Sequence, residues 1–370
     1  MSKIGIFNTF LRYGIQMQLE PLTYVSSRDP RWKRWTMRAI ENLSGRRRLL
    51  PIYHTWRTKV AGKSARMMGE LLDMIGTRLD INADSDSGAD MGTWPVRVPP
   101  ETPLVIVANH PFGIGDGIAL LALAEQLGRP YRILANSDIV KFPEIHHCML
   151  PIDFSGSREA IKTNLESRKL ARRLLQEGVT IVVFPAGGVA TAGHPAGEAE
   201  ELPWKAFTAR LIQQAQAAVL PVYFEGQNSL LFHLVSRYSR TIRLALMVSE
   251  LQNFVGITVK VHVGALVPFT DLAWKGDRQR LTLELYSRVH QLAPQARHLP
   301  LDQLRPRPPE IRRRYPWERP PLNAATSAQQ PEHLGEIQSV NPPQSNCREN
   351  RLARFRQRFD PSRIRIRDSD

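Results

Sequence analysis

Cysteine is almost absent from this chain. Cys148 and Cys347 are the only two in 370 residues, and neither sits in a Cys-x-x-Cys pair. A disulfide framework and a cysteine-built zinc cluster are both disfavoured, and the usage fits a reducing compartment. Long hydrophobic runs are missing too. No stretch of eighteen or more apolar residues occurs, so no membrane-spanning helix is expected. The longest uncharged stretch, Val179 to Gly197, is broken by Pro185, Pro195 and several glycines and reads as strand plus loop. Met1 to Gly14 lacks the basic, apolar and small-residue series of a secretory signal. Acidic side chains are also few: 35 Asp and Glu face 50 Lys and Arg, a net charge of +15 with a pI near 10.2. That balance favours a polyanionic partner, either nucleic acid or an anionic membrane surface.

What is present organises into three parts. Hydrophobic residues make up 42% of the chain, enough to bury the core of one large domain. Residues 1 to 85 read as a helical basic region. Ile4 to Leu19, Trp32 to Leu43 and Ala65 to Leu79 carry apolar residues at helical spacing, and Met1 to Lys63 holds 13 Lys and Arg against 3 acids. Basic helices bearing Trp, Tyr and Leu suit contact with a membrane surface. Asn82 to Thr93 is polar and reads as a loop.

Residues 86 to 294 read as an α/β domain. Pro103 to Ala108, Tyr131 to Ala135, Thr180 to Phe184, Ala218 to Phe224, Ile242 to Val248 and Thr258 to Val263 are short apolar runs expected as buried strands. Helical patterns over Gly117 to Leu127, Arg158 to Gln176 and Trp204 to Ala217 alternate with them. That alternation predicts a largely parallel central sheet flanked by helices. Residues 295 to 370 are rich in proline and arginine, aperiodic, and read as a disordered tail.

The chemistry concentrates in Val107-Ala-Asn-His-Pro-Phe-Gly-Ile-Gly-Asp-Gly117. This segment follows an expected strand and precedes an expected helix, and α/β sites gather at the carboxyl ends of strands. Gly113, Gly115 and Gly117 permit a tight return that brings the Asp116 carboxylate against the His110 imidazole. A carboxylate on one ring nitrogen fixes the tautomer and leaves the other as a base. Such a base takes a proton from a hydroxyl as it attacks an acyl carbonyl.

Asn109-His110 through Asp116 resembles the first motif of the lysophospholipid acyltransferase superfamily. Five residues separate His from Asp here rather than four, and His-Pro-Phe-Gly-x-x-Asp-Gly resembles the hemolysin-like branch, which includes lyso-ornithine lipid acyltransferases. Ile133-Leu-Ala-Asn136 follows the first helix. Leu150-Pro-Ile-Asp-Phe154 with Arg158, Phe184-Pro-Ala-Gly-Gly188, and Leu220 through Ser229 resemble the second, third and fourth motifs in order. Arg243, Glu250-Leu251 and Val263-Gly264 continue that branch's pattern. The resemblance covers roughly residues 95 to 270. It implies that His110 is the general base and Asp116 its orienting partner. It implies substrate contacts at Asn109, Arg158, Gly187, Gly188 and Lys205: an acceptor-binding guanidinium, backbone amides for an oxyanion or phosphate, and a basic helix start. Ala186 and Gly188 stand where the third motif carries its glutamate in one branch or the other, so that carboxylate is missing.

The implied reaction moves a fatty acyl group from an acyl carrier protein or coenzyme A thioester to a lysolipid hydroxyl. Lysophosphatidate, another lysophospholipid or lyso-ornithine lipid are the candidate acceptors. No cofactor and no metal are expected; His146 and His147 are adjacent and point apart. A silent lipid-binding relative and a thioester hydrolase are the alternatives. Nucleic acid is disfavoured, because the charge excess lies in the two ends and no recognition motif is present. The expected location is peripheral, at the cytoplasmic face of a membrane, held by the basic ends.

Overall fold

The computed structural model describes residues 22–23, 30–84, 91–137, 142–193 and 197–306. The expectations for Ile4 to Leu19, Cys347 and the tail beyond residue 306 lie outside the described residues, all of which fall in one compact unit, Met1–Glu318.

Among the described residues three helices come first: α1 (Arg31–Glu41), α2 (Arg47–Lys59) and α3 (Met67–Met74), with one π-helical turn joining α1 to α2. Strand β1 (Arg78–Asp84) follows, then the two-residue β2 (Met91–Gly92), β3 (Leu104–Ala108), helix α4 (Ile114–Gln126), β4 (Tyr131–Asn136) and β5 (Met149–Ile152). Helix α5 (Arg158–Gln176), β6 (Thr180–Val183), the β7–β8 hairpin (Thr191–Ala192 and Ala199–Glu200) and α6 (Phe207–Ala215) lead to β9 (Ala218–Phe224). Helices α7 (Leu230–Ser236) and α8 (Arg240–Asn253), β10 (Thr258–Val263) and α9 (Arg278–Gln291) complete the unit.

The main sheet runs β2-β1-β10-β9-β3-β6-β4-β5. Pairings of β1 with β10, of β3 with β6 and β9, and of β4 with β5 and β6 are parallel; β9–β10 and β1–β2 are antiparallel. The largely parallel α/β sheet is therefore as expected. Two details differ. Ile242 to Val248 is not a strand but part of α8, capped by Ser239, whose Oγ accepts the Ile242 N–H at 3.3 Å. Residues 78–84, read as the end of a helix and a loop, form β1. The sheet thus takes a strand from each side of the boundary drawn at residue 86.

Strand β3 sits in the middle and explains the two-sided architecture. All five of its residues are buried. Successive side chains alternate across a strand, so Leu104, Ile106 and Ala108 face the layer built from α2, α3, α4 and part of α8. Val105 and Val107 face α5, α6 and α9. Each such aliphatic burial is worth about 1.5–3 kcal/mol. Only a strand covered on both faces carries so unbroken an apolar run. Its carboxyl end is consequently fixed in the centre of the sheet, and the segment carrying His110 starts there.

Candidate active site

The helix after β3 sets the geometry. Gly113 precedes α4 with φ of 81°, and a Cβ there would lie 2.1 Å from Met247 Cε. Only glycine accepts both the left-handed backbone and the close approach. The turn it makes puts Asp116 in the first turn of α4, fully buried, where the helix N-terminus favours a carboxylate. One Asp116 oxygen lies 2.9 Å from His110 Nδ1; the other accepts the Phe112 N–H at 2.7 Å.

The His110 ring stacks on Phe184, just beyond β6, with centroids 4.1 Å apart. A carboxylate only accepts, so the Nδ1 proton points at Asp116 and the Nε2 lone pair is left over. Nε2 makes no hydrogen bond among the described residues. The side chain keeps 16% of its surface open.

The His110 backbone is clamped as well. Its carbonyl accepts the Ala190 N–H at 2.8 Å. Its N–H donates to Glu201 Oε1 at 2.9 Å. The other Glu201 oxygen accepts the Trp204 indole N–H at 2.8 Å and lies 3.5 Å from His290 Nε2 on α9. Burial pushes the Glu201 carboxyl up to about 7, against the pull of the Trp204 and His110 donors. Burial pushes His290 down to about 4, opposed by its bond to the Tyr286 carbonyl, so this histidine is neutral at pH 7 and offers Glu201 no positive charge. Glu201 is the residue that sequence reasoning missed. The third motif lacks its carboxylate, and one arrives from beyond the β7–β8 hairpin instead. Glu198, Glu200 and Glu201 stand together in the sequence, and no pattern there says which one turns inward.

The expected substrate contacts divide. Asn109 is buried. Its amide donates to the Phe224 carbonyl at 2.9 Å and accepts the Phe224 N–H at 2.7 Å. It ties the end of β3 to the end of β9, and both polar ends of its side chain are used, which gives Asn109 a structural role. Gly187 has φ of 68°, and its N–H donates to the Phe184 carbonyl at 3.0 Å. That amide closes a turn. Gly188 follows on the same loop.

Lys205 comes to this loop. A Cβ at Gly187 would lie 2.9 Å from the Lys205 ammonium and 3.3 Å from Phe154 Cζ. The ammonium sits 4.1 Å above the Phe154 ring. The residue as a whole is exposed, yet its ammonium end is crowded; lost solvation first, then Arg168, lowers its pKa. Arg158 is the first residue of α5, exposed, and without a hydrogen bond or ion pair among the described residues. Ser157 caps that helix by accepting the Ala160 N–H at 3.0 Å. Arg243 donates to Thr191 Oγ1 and the Val189 carbonyl, and Glu250 accepts from the N–H and hydroxyl of Ser229. These two hold the loops around the site and have a structural reason to be there. No group of His, Cys, Asp and Glu that could hold a metal occurs among the described residues. Cys148 is buried, its thiol pushed up to about 12 by burial.

The family model described as Acyltransferase matches residues 95–225, the span that holds β3, the His110–Asp116 pair and β9. Over that span the chain is similar to acyltransferases. Two lyso-glycine lipid O-acyltransferases are similar to it. That of Phocaeicola vulgatus is 24% identical over 156 residues, 42% of this chain and 53% of the relative. That of Bacteroides thetaiotaomicron is 28% identical over 160 residues, 42% of this chain and 55% of the relative. The chain spans about half the length of these curated relatives. The crystal structure of the 1-acyl-sn-glycerophosphate acyltransferase PlsC from Thermotoga maritima aligns over 78% of this chain and 87% of that one, at 12% identity and a TM-score of 0.37, too distant to bear on the argument. Glu201 lies inside the matched span, while His290 on α9 reaches in from outside it.

Proposed function

We propose that this protein is an O-acyltransferase that moves a fatty acyl group from a thioester to the hydroxyl of a lysolipid. The observation that carries the reading is the 2.9 Å contact of His110 Nδ1 with a fully buried Asp116, which directs the Nε2 lone pair outward as a base. His110 takes the acceptor's hydroxyl proton as that oxygen attacks the thioester carbonyl carbon. The carbon–sulfur bond breaks, and the proton passes to the departing thiolate. The products are an ester and a free thiol, and no cofactor or metal enters the balance. Arg158 and Lys205 hold the acceptor's anionic head group by charge-assisted hydrogen bonds. The names of the two bacterial relatives support a lysolipid acceptor and put an amino-acid-headed one first in the panel, beside lysophosphatidate, lysophospholipids and lyso-ornithine lipid.

The protein works as a peripheral protein on an anionic bilayer, at its cytoplasmic face. Helix α1 turns Trp32 and Trp35 outward, 72% and 75% exposed, among Arg31 and Arg34. Its other side packs Met37 on Ala245 of α8. Leu230, Leu231 and Tyr238 are exposed on and beside α7. Among the described residues no helix is long and apolar enough to cross a membrane. Incubating the protein with a labelled acyl thioester and a panel of lysolipids tests the proposal. Labelled ester on one lipid supports it. Thioester loss without acylated lipid makes the protein a hydrolase, and an intact thioester with every lipid makes it a silent relative.

A further inference from the structure

Beyond Arg158, helix α5 carries a charge pattern that the reaction at His110 does not use. Its inner side buries Ala160, Thr163, Ser167, Ala171 and Leu175. Its outer side is segregated. Each residue turns about 100° on a helix, so Arg158, Ile161, Leu165, Arg168 and Arg172, spaced by three and four, form one stripe. Lys162 and Lys169 run beside it. Glu159 and Glu166 fall together on the far flank, about 80–100° from Arg158. Ile161 and Leu165 are 64% and 50% exposed in the middle of the cations. Among the described residues the side chains of Arg158, Lys162, Lys169 and Arg172 have no hydrogen bond or ion pair. The stripe starts at Arg158, which the proposed reaction gives to the acceptor, and runs about 21 Å to Arg172. Arg168 lies 4.7 Å above the Phe207 ring and faces Arg210 of α6, so positive charge also gathers on the neighbouring helix.

We propose that the Ile161–Leu165–Arg168–Arg172 face of α5, flanked by Lys162 and Lys169, docks a small acidic carrier protein that brings the acyl chain as a thioester. This inference rests on the acyl-transfer reading and names the donor. Unpaired cations around two exposed aliphatic side chains complement an acidic surface that has an apolar centre. A bilayer fits this face less well. Helix α5 belongs to the layer that packs against Val105 and Val107, whereas α8, on which the Trp-bearing α1 sits, packs in the opposite layer with Leu104 and Ile106. Nor does α5 expose any tryptophan or tyrosine. The two faces lie on opposite sides of the sheet, so a carrier on α5 and a membrane on α1 do not compete.

The test compares the full-length wild type with Lys162→Glu/Lys169→Glu/Arg172→Glu. Palmitoyl is supplied either by a bacterial acyl carrier protein or by coenzyme A, and binding of the carrier is titrated separately without acceptor. The expected result is a KM for the acylated carrier raised about tenfold or more, an unchanged kcat, and unchanged kinetics with the coenzyme A thioester. Carrier binding falls in parallel and weakens with salt. Equal effects on both donors, no effect on either, or turnover of the coenzyme A thioester alone by the wild type overturns the proposal while leaving the acyl-transfer reading intact. So does unchanged carrier binding with lost sedimentation on anionic vesicles, which assigns this face to the membrane. If the wild type acylates no lysolipid, the acyl-transfer reading fails, and the binding titration alone then decides whether α5 docks the carrier.

Discussion

Glu201 Oε1 accepts the backbone N–H of His110 at 2.9 Å, so a carboxylate fixes the main chain of the residue proposed as base. Leu in its place leaves that buried N–H unpaired and lets the imidazole drift. Glu201→Leu is expected to lower kcat about 10- to 100-fold with little change in KM for the thioester. Glu201→Gln keeps an acceptor oxygen and is expected to retain most of kcat at pH 7. Steady-state kinetics on the pair, with circular dichroism as the check on folding, decides it. Equal loss in both variants contradicts the positioning role.

Glu201 and His290 pull stability in opposite directions with pH. Glu201 ionises near 4.5 when unfolded and about 7 when folded, so its favourable contribution is full below about 4.5 and gone above about 7. His290 moves from 6.5 down to about 4, so its contribution is full above about 6.5 and lost as pH falls to about 4. The two slopes offset each other between them. Glu201→Gln exposes the histidine's slope, and stability is expected to drop by up to about 3 kcal/mol on acidification from pH 6.5 to 4, relative to wild type. Urea midpoints across that range measure it. A variant profile parallel to wild type refutes the coupling.

Asn109→Ala separates a structural from a substrate role. Phe224 loses both amide partners inside the core, and the stability cost is expected at about 2–3 kcal/mol. KM for the acceptor is expected to stay within about twofold. A large rise in KM with intact stability returns Asn109 to the substrate contacts.

Trp32→Ala/Trp35→Ala removes the exposed aromatic pair of α1 without touching its buried face. Sedimentation with anionic vesicles is expected to weaken about tenfold or more, from the apolar area withdrawn from the interface. Undiminished sedimentation moves the membrane face elsewhere.

Much of the frame was legible because it is encoded locally. Strand β3 is an unbroken aliphatic run, and α5 shows a clean helical period, so both were readable within a residue or two. Residues 242–248 misled because α8 is covered nearly all round. Ala245, Leu246, Met247 and Val248 are four consecutive buried residues, and such a run has no period by which to tell helix from strand. Strand β1 was hidden by Arg78, Asp80 and Asp84, whose pairing depends on β10, some 180 residues later. In the site, His110 and Asp116 sit six residues apart, and their meeting follows from one tight turn. Glu201 returns from 91 residues away through a hairpin, and Asn109 is claimed by the backbone of a strand 115 residues on. Contacts of that span are set by topology rather than by any local pattern.

The measurement that bears most directly on the central claim is acyl transfer by His110→Ala and Asp116→Asn beside wild type, against the lysolipid panel. Loss of detectable transfer in His110→Ala is predicted, with a fall of roughly 10³–10⁴ in kcat for Asp116→Asn, whose fold persists but whose imidazole loses its fixed tautomer. Transfer by His110→Ala within about tenfold of wild type contradicts the assignment of this histidine as the base.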